Sequence, residues 1–234
     1  MDPIEIDGSY LEGGGQIIRI STALSTLLKK PIKISKIRVG RKDGGLKAQH
    51  LTGIDLLGRV SQANLTGASL KSTEVKFIPK MIQSGRYAAD TKTAGSLCLI
   101  IHNALPCLIF AKETCELDLR GGTNAANAPQ IDYFQMVFCP IAKQFGLKCD
   151  LEILRRGYFP KGGGEVYLKT YPIEKALSPI DLTEFGGLKR VYGRSFVAGF
   201  LPIKIAEVMA NTAKEIMSVY KNVPIEIEVI IYFR

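Results

Sequence analysis

The sequence contains no tryptophan, two histidines and no long apolar run. With His50 and His102 as its histidines and no C-x-x-C pair among its five cysteines, we do not expect a Cys/His zinc site. The odd cysteine count and their apolar surroundings favour reduced, buried thiols over a disulfide framework. No stretch reaches the roughly 18 apolar residues of a membrane span, and the acidic N-terminus lacks a signal region. We therefore expect an intracellular protein that does not enter a membrane.

The sequence carries more basic than acidic residues. Lysine and arginine together number 31 and aspartate and glutamate 22, which gives a net charge of +9 and a pI near 9.3. This excess favours an anionic partner, most often nucleic acid or a nucleotide. Solubility through net charge is the alternative. The hydrophobic fraction of 46% is that of a globular protein with a real core.

Two segments of the chain carry the same order of predicted elements. In each, a turn of small residues opens a helix with apolar residues at 3.6-residue spacing, and alternating strands follow. The first copy predicts helices after residues 13–15 and at 51–60, and strands at 32–39 and 73–78. The second predicts helices at 96–104 and 129–145 and strands at 105–110, 115–119, 148–154 and 164–170.

These copies lie about 81 residues apart, too far for a solenoid repeat, so we interpret them as duplicated α/β subdomains. Chance similarity of two α/β segments is the alternative. We predict a first repeat at 1–88, a second at 89–174, a linker at 175–188 and a strand-helix-strand unit at 189–234. The last strand, at 224–233, would need a partner on its open edge, so we expect the chain to stop within a domain.

Three glycine-rich segments are candidate ligand loops, at 12–16, 121–124 and 161–165. None has the P-loop or G-x-G-x-x-G spacing, and each by itself fits a tight turn. However, exposed N–H groups at a helix start favour a phosphate. Arginine makes bidentate bonds to phosphate, so Arg19, Arg38 and Arg41 could converge on one terminal phosphate. A solvated basic face is the alternative.

The two histidines differ in context. His50 follows Lys47 and Gln49 in a polar, basic segment and could donate a hydrogen bond to a phosphate oxygen. His102 lies in the apolar run 97–105, where a buried core histidine is the ordinary expectation. No nearby signal marks either one as a covalent nucleophile.

Five motifs, taken together, resemble the RNA 3′-terminal phosphate cyclase family, in a form closest to its eukaryotic members. They occur in the family's order and cover essentially residues 4–230. The motifs are EGGGQIIR at 12–19, IRVGR at 37–41 with QH at 49–50, DTKTAGS at 90–96, GGTNA at 121–125 with APQIDY at 128–133, and RGYFPKGGGE at 156–165.

The resemblance implies an α/β (α+β) fold with repeated four-stranded units. Family members have three such units and a small α/β domain inserted before the third, so this chain would supply two units and the start of the insert. The implied reaction is the ATP-dependent conversion of an RNA 3′-phosphate into a 2′,3′-cyclic phosphodiester, through enzyme-AMP and RNA-adenylate intermediates. The resemblance also implies ATP with Mg²⁺ or Mn²⁺ as cofactors and RNA with a 3′-terminal phosphate as the partner. It implies a location in the nucleus (nucleoplasm), with the cytoplasm as a second location.

The resemblance also implies roles for single residues. Those expected to hold the RNA terminal phosphate are Arg19, Arg38, Arg41, Gln49 and His50. At the nucleotide site, Glu12 matches an acidic position, Pro129 matches a position that packs on ATP, and His102 falls where the family usually has glutamine.

No catalytic residue is assigned, because the family's nucleophilic histidine belongs to the third repeat and no segment here corresponds to it. We therefore expect that this chain alone does not form the adenylate. A cyclase-like factor without catalysis, acting in ribosomal RNA processing, is the alternative function. Retention of the nucleotide-contacting motifs at 12–16 and 121–124 favours the cyclase.

Overall fold

A computed structural model describes residues 2–232 of the chain. The chain forms two compact units, which divide between Pro179 and Ile180. Within the described range, no helix is both long enough and apolar enough to cross a bilayer.

The first repeat of the larger unit is one four-stranded sheet with two helices. Its strands lie in the order β1-β2-β4-β3, where β1 and β2 are parallel and the other neighbours are antiparallel. In chain order the elements are β1 (Ile4–Asp7), α1 (Gly15–Leu28), β2 (Ile32–Ser35), α2 (Ala48–Val60), β3 (Asn64–Thr66) and β4 (Val75–Ile78).

The second repeat has the same topology. Its order is β5-β6-β8-β7, again with one parallel pair followed by two antiparallel pairs. The elements are β5 (Gly85–Asp90), α3 (Leu97–Leu108), β6 (Cys115–Gly121), α4 (Ile131–Tyr133), a π-helical segment (Phe134–Phe138), α5 (Cys139–Gln144), β7 (Cys149–Arg155) and β8 (Gly164–Thr170).

Corresponding elements of the two repeats begin at a nearly constant offset. Strand β5 begins 81 residues after β1, and helix α3 begins 82 residues after α1. Identical strand order at this offset confirms the predicted fold class, an α/β protein with repeated four-stranded units.

One hydrophobic core joins the two repeats. Helices α1, α2 and α3 contact one another, and the buried cluster includes Ile18 of α1, Ile54 of α2 and Ile100 of α3. The Thr22 hydroxyl lies 3.2 Å from Asn103 Oδ1, so a buried hydrogen bond also links α1 to α3. Because buried polar groups need partners, this bond fixes how the two helices are aligned.

One predicted strand was wrong throughout and another was too long. Residues 105–110 were predicted as a strand, but α3 continues through Leu108 and contains Pro106. The run is buried on nearly all sides, so it has no helical periodicity that the sequence could show. Strand β2 ends at Ser35 instead of residue 39, because Lys36 and Arg38 have φ values of 52° and 57°, outside the strand region.

The smaller unit is a parallel two-stranded sheet joined by one helix. It consists of β9 (Val191–Ala198), α6 (Ile203–Met217) and β10 (Ile225–Tyr232). Helix α6 buries Ala206 and Ala210, and the Ser195 hydroxyl donates to the carbonyl of Ala206 at 2.7 Å. The predicted last strand included Phe233, which lies outside the described residues.

Candidate anion-binding site

The start of α1 presents backbone N–H groups without a side-chain cap. Gly13 has φ +54°, a conformation that glycine adopts without strain, and Gly14 occupies the N-cap position. In the described part of the chain, no side chain accepts from the N-terminal N–H groups, and the first turn of α1 has no acidic residue. A helix start of this kind attracts an anion through its free N–H groups and its dipole.

His50 points from α2 towards this helix start. Its Nδ1 accepts a hydrogen bond from the Lys47 N–H at 3.2 Å, which assigns the ring proton of the neutral imidazole to Nε2. Burial, together with the smaller effect of the positive charges on Arg38, Arg19 and Lys47, lowers the pKa of His50 to about 4. At neutral pH the ring is therefore an uncharged donor directed at Gly15.

Arg19 lies one turn into α1. Its Nε is buried and has no hydrogen-bond partner among the described residues, and burial lowers the pKa of the guanidinium. A methyl group on Gly15 would overlap His50 Nε2 and lie 3.2 Å from Arg19 Nη1. Glycine at this position therefore lets both side chains reach the backbone at the helix start.

Arg38 and Arg41 come from the loop between β2 and α2. The Arg38 guanidinium donates to the carbonyl oxygens of Gly45 at 3.2 Å and Asp43 at 3.4 Å. Partial burial, followed by the charge on Arg41, lowers the pKa of Arg38, so the two cations are close enough to repel each other. Such repulsion is relieved when an anion binds between them.

Arg41 also reaches the glycine loop. Its Nη2 lies 3.3 Å from Glu12 Oε2 and would lie 3.8 Å from a methyl group on Gly14. Because both side chains are largely exposed, this ion pair contributes little to stability, and an incoming anion can compete for the guanidinium.

Of the five residues predicted for the phosphate, the structure gathers four around the start of α1: Arg19, Arg38, Arg41 and His50. What they bind stays a prediction. Gln49 faces the neighbouring repeat, where its Oε1 accepts from the Ser96 N–H at 2.6 Å. A cavity of about 10 Å³, the size of a single water molecule, lies among Arg19, Gln49, His50 and Asn103.

The residues predicted for the nucleotide are less closely grouped. His102 is exposed on α3, so the expectation of a core histidine was wrong. Partial burial and the charge on Arg19 lower the pKa of His102, which indicates that it lies near Arg19. Pro129 is exposed two residues before α4, and no contact described in residues 2–232 joins it to Glu12 or His102.

The sequence reasoning missed a buried ion pair beside the second glycine loop. Arg156 Nη2 lies 2.6 Å from Asp132 Oδ1, and Arg156 Nη1 lies 2.8 Å from Oδ2, with side-chain exposures of 5% and 18% for the arginine and the aspartate. Asn124 donates to the same carboxylate at 3.3 Å, and the hydrogen bond from Arg156 holds the pKa of Asp132 below its ordinary value. Both residues lie in recognised motifs, but nothing in the sequence pairs them.

No metal centre is formed by protein side chains alone in the described range. There, no group of three His, Cys, Asp or Glu side chains could hold a metal ion. A cation that entered with a nucleotide would need ligands from the phosphates.

The fold and the site define an α/β protein with duplicated four-stranded units and a basic, glycine-rich helix start. The family model for RNA 3′-terminal phosphate cyclase matches residues 10–226. The chain therefore belongs to the RNA 3′-terminal phosphate cyclase family, as the motifs predicted.

Curated relatives from distant organisms support the same assignment. The chain is 48% identical over 231 residues to a probable RNA 3′-terminal phosphate cyclase of Dictyostelium discoideum, with 97% of this chain and 53% of the relative covered. For the RNA 3′-terminal phosphate cyclase of Drosophila melanogaster, identity is 43% over 211 residues, with coverages of 90% and 58%. For that of Pyrococcus furiosus, identity is 41% over 227 residues, with coverages of 96% and 65%. The chain thus spans between about one half and two thirds of these relatives.

Proposed function

We propose that the start of α1 binds the 3′-terminal phosphate of RNA in an ATP-dependent conversion of that phosphate to a 2′,3′-cyclic phosphodiester. The observation that carries this proposal is the meeting of Arg19, Arg38, Arg41 and His50, from three separate segments, at one glycine-rich helix start. The names of the relatives supply the reaction class.

The site suits a phosphate with two negative charges. Guanidinium groups make charge-assisted bidentate bonds to phosphate oxygens, and the buried Nε of Arg19 still lacks a partner in the described chain. His50 adds a neutral N–H donor. Held in this way, the terminal phosphate keeps a fixed orientation relative to the vicinal 2′-hydroxyl, which is the attacking group in cyclisation. A deoxyribose end lacks that hydroxyl.

ATP would supply the leaving group that a bare phosphate lacks. We propose that the nucleotide lies beside the phosphate site, with Glu12, His102 and Pro129 as contacts and Mg²⁺ or Mn²⁺ bound to the triphosphate. Two observations support a nucleotide site next to the phosphate site: Glu12 forms an ion pair with Arg41, and the charge on Arg19 lowers the pKa of His102.

Neither histidine of this chain is proposed as the group that forms enzyme-AMP before transfer of AMP to the RNA. His50 is buried, with Nδ1 engaged by Lys47 and Nε2 directed at Gly15. Incubation of this chain with α-labelled ATP should therefore leave no acid-labile protein label. Label on His50 or His102 would overturn this part of the proposal.

Fluorescence anisotropy with matched RNA oligonucleotides tests phosphate recognition. The 3′-phosphorylated RNA should bind more tightly than the 3′-hydroxyl form, and Arg41→Ala should abolish most of the difference. Arg86→Ala is the matched control, since Arg86 pairs with Asp118 on the second sheet. Equal affinities for the two RNA ends would contradict the proposal and favour a non-catalytic factor in ribosomal RNA processing.

A nuclear location, with the cytoplasm as a second location, is also proposed from the family's eukaryotic members. Imaging of the tagged full-length protein in cells tests it. Exclusion of the protein from the nucleus would contradict it.

A further inference from the structure

Two cysteine thiols lie side by side in the second repeat, between its helical segment at 131–144 and strand β7. Cys139 begins α5 and Cys149 begins β7, and their Sγ atoms are 3.5 Å apart. Both thiols are free and half-buried, whereas Cys98, Cys107 and Cys115 are buried. The separation of ten residues is not a C-x-x-C spacing, so the sequence did not single out this pair.

A groove opens beside these thiols. Its volume is about 650 Å³, and its lining includes Lys143, Leu147, Lys148 and Tyr171 together with both cysteines. The Tyr171 hydroxyl donates to Asp150 at 2.7 Å, which gives that carboxylate a partner within the groove. Two lysines beside a thiol pair suit a small anionic molecule.

The hydrogen bond between the thiols makes them unequal. With Cys139 as the donor, which is one of the two possible directions of this hydrogen bond, the pKa of Cys149 is lowered against the opposing effects of burial and of Asp150. The same bond raises the pKa of Cys139. Cys149 is therefore the better nucleophile, because the thiolate is the reactive form.

We propose that Cys139 and Cys149 form a redox modification site that exchanges with an anionic disulfide of the glutathione type. The Cys149 thiolate attacks one sulfur of the disulfide, so that a mixed disulfide forms and one glutathione thiolate leaves. The Cys139 sulfur, after losing its proton, then attacks Cys149 Sγ and expels the second glutathione. Two protein thiols are oxidised, one disulfide is reduced to two thiols, and the two protons pass to the released glutathiones.

The resulting disulfide would join the helical segment of the second repeat to an edge strand. That segment already contacts β7 through Gln135, whose amide donates to the Leu151 carbonyl at 3.0 Å. At its other end, the segment carries Asp132, the partner of Arg156 beside the second glycine loop. Oxidation would thus hold the helix and β7 at a fixed separation. This inference does not depend on the proposed function.

Peptide mapping of the folded chain under non-reducing conditions tests the proposal. After incubation with glutathione disulfide, we expect a peptide pair linked through Cys139 and Cys149, reversal by excess reduced glutathione, and unmodified thiols at Cys98, Cys107 and Cys115. Cys139→Ser should stop the reaction at a glutathionylated Cys149, while Cys149→Ser should leave Cys139 slow to react. Absence of the linked pair in the folded wild-type chain, or its appearance only in denaturant, would overturn the proposal whether or not the variants fold.

Discussion

The His50 imidazole and the Gly15 backbone face each other so closely that even a methyl group on Gly15 would overlap His50 Nε2. Helix α2 supplies the ring and helix α1 supplies the glycine. This approach directs a neutral N–H donor at a helix start that also faces Arg19 and Arg41.

Gly15→Ala should weaken binding of 3′-phosphorylated RNA by about tenfold or more, because the added methyl group displaces the His50 and Arg19 side chains. Fluorescence anisotropy measures the loss. Gly186→Ala is the matched control, since Gly186 lies in the smaller unit and a methyl group there has no described atom within 4 Å apart from its chain neighbours. Equal losses in the two variants would contradict the importance of this contact.

Gln49→Glu should separate a structural role of Gln49 from a role in binding. A carboxylate can still accept from the Ser96 N–H, so stability in urea should be retained, whereas the added negative charge should lower affinity for 3′-phosphorylated RNA. Gln49→Ala should instead cost about 1–3 kcal/mol, because it leaves the buried Ser96 N–H without a partner. Wild-type affinity in Gln49→Glu would remove Gln49 from the phosphate site.

Asp132→Ala should destabilise the protein by about 3–5 kcal/mol, because it leaves the buried Arg156 guanidinium without its carboxylate. Urea unfolding measures the change. Asp118→Ala removes the partner of Arg86, whose side chain is 65% exposed, and should cost less than about 1 kcal/mol. A similarly small loss in Asp132→Ala would show that the pair does not hold the second glycine loop.

Gly53→Ala and Asn103→Ala should not be additive. A methyl group on Gly53 would lie 2.8 Å from Asn103 Nδ2, so the first substitution overpacks the contact between α2 and α3, and the second removes the crowded group. The double variant should therefore be more stable, by about 1 kcal/mol, than the two single losses predict. Additivity within about 0.5 kcal/mol in urea unfolding would show that the two residues do not meet.

Much of the fold could be predicted because strands with one buried face alternate. Strand β8 shows strict alternation and was predicted at its observed bounds, Gly164–Thr170. Strands β1, β3 and β5 were missed because at most one residue of each is buried, so no buried apolar face marks them in the sequence. The C-terminal part of α3 was mistaken for a strand because an apolar run buried all round has no polar face.

The candidate site was predicted only in its composition. Glycines and arginines in the motifs indicated a phosphate, but spacing could not show that Gln49 would bond to Ser96, 47 residues away. The pairing of Asp132 with Arg156, 24 residues apart, depends in the same way on the folded second repeat. Such contacts are set by tertiary packing, which local patterns do not contain.

An NMR titration of the His50 imidazole, with and without RNA, tests phosphate binding at the start of α1. In the free protein the ring should stay neutral on acidification until about pH 4, well below the ordinary 6.5. A bound phosphate favours the protonated ring, so 3′-phosphorylated RNA should raise the pKa of His50, and the 3′-hydroxyl RNA should raise it much less. The same pKa with both RNAs as in the free protein would contradict binding of the terminal phosphate beside His50.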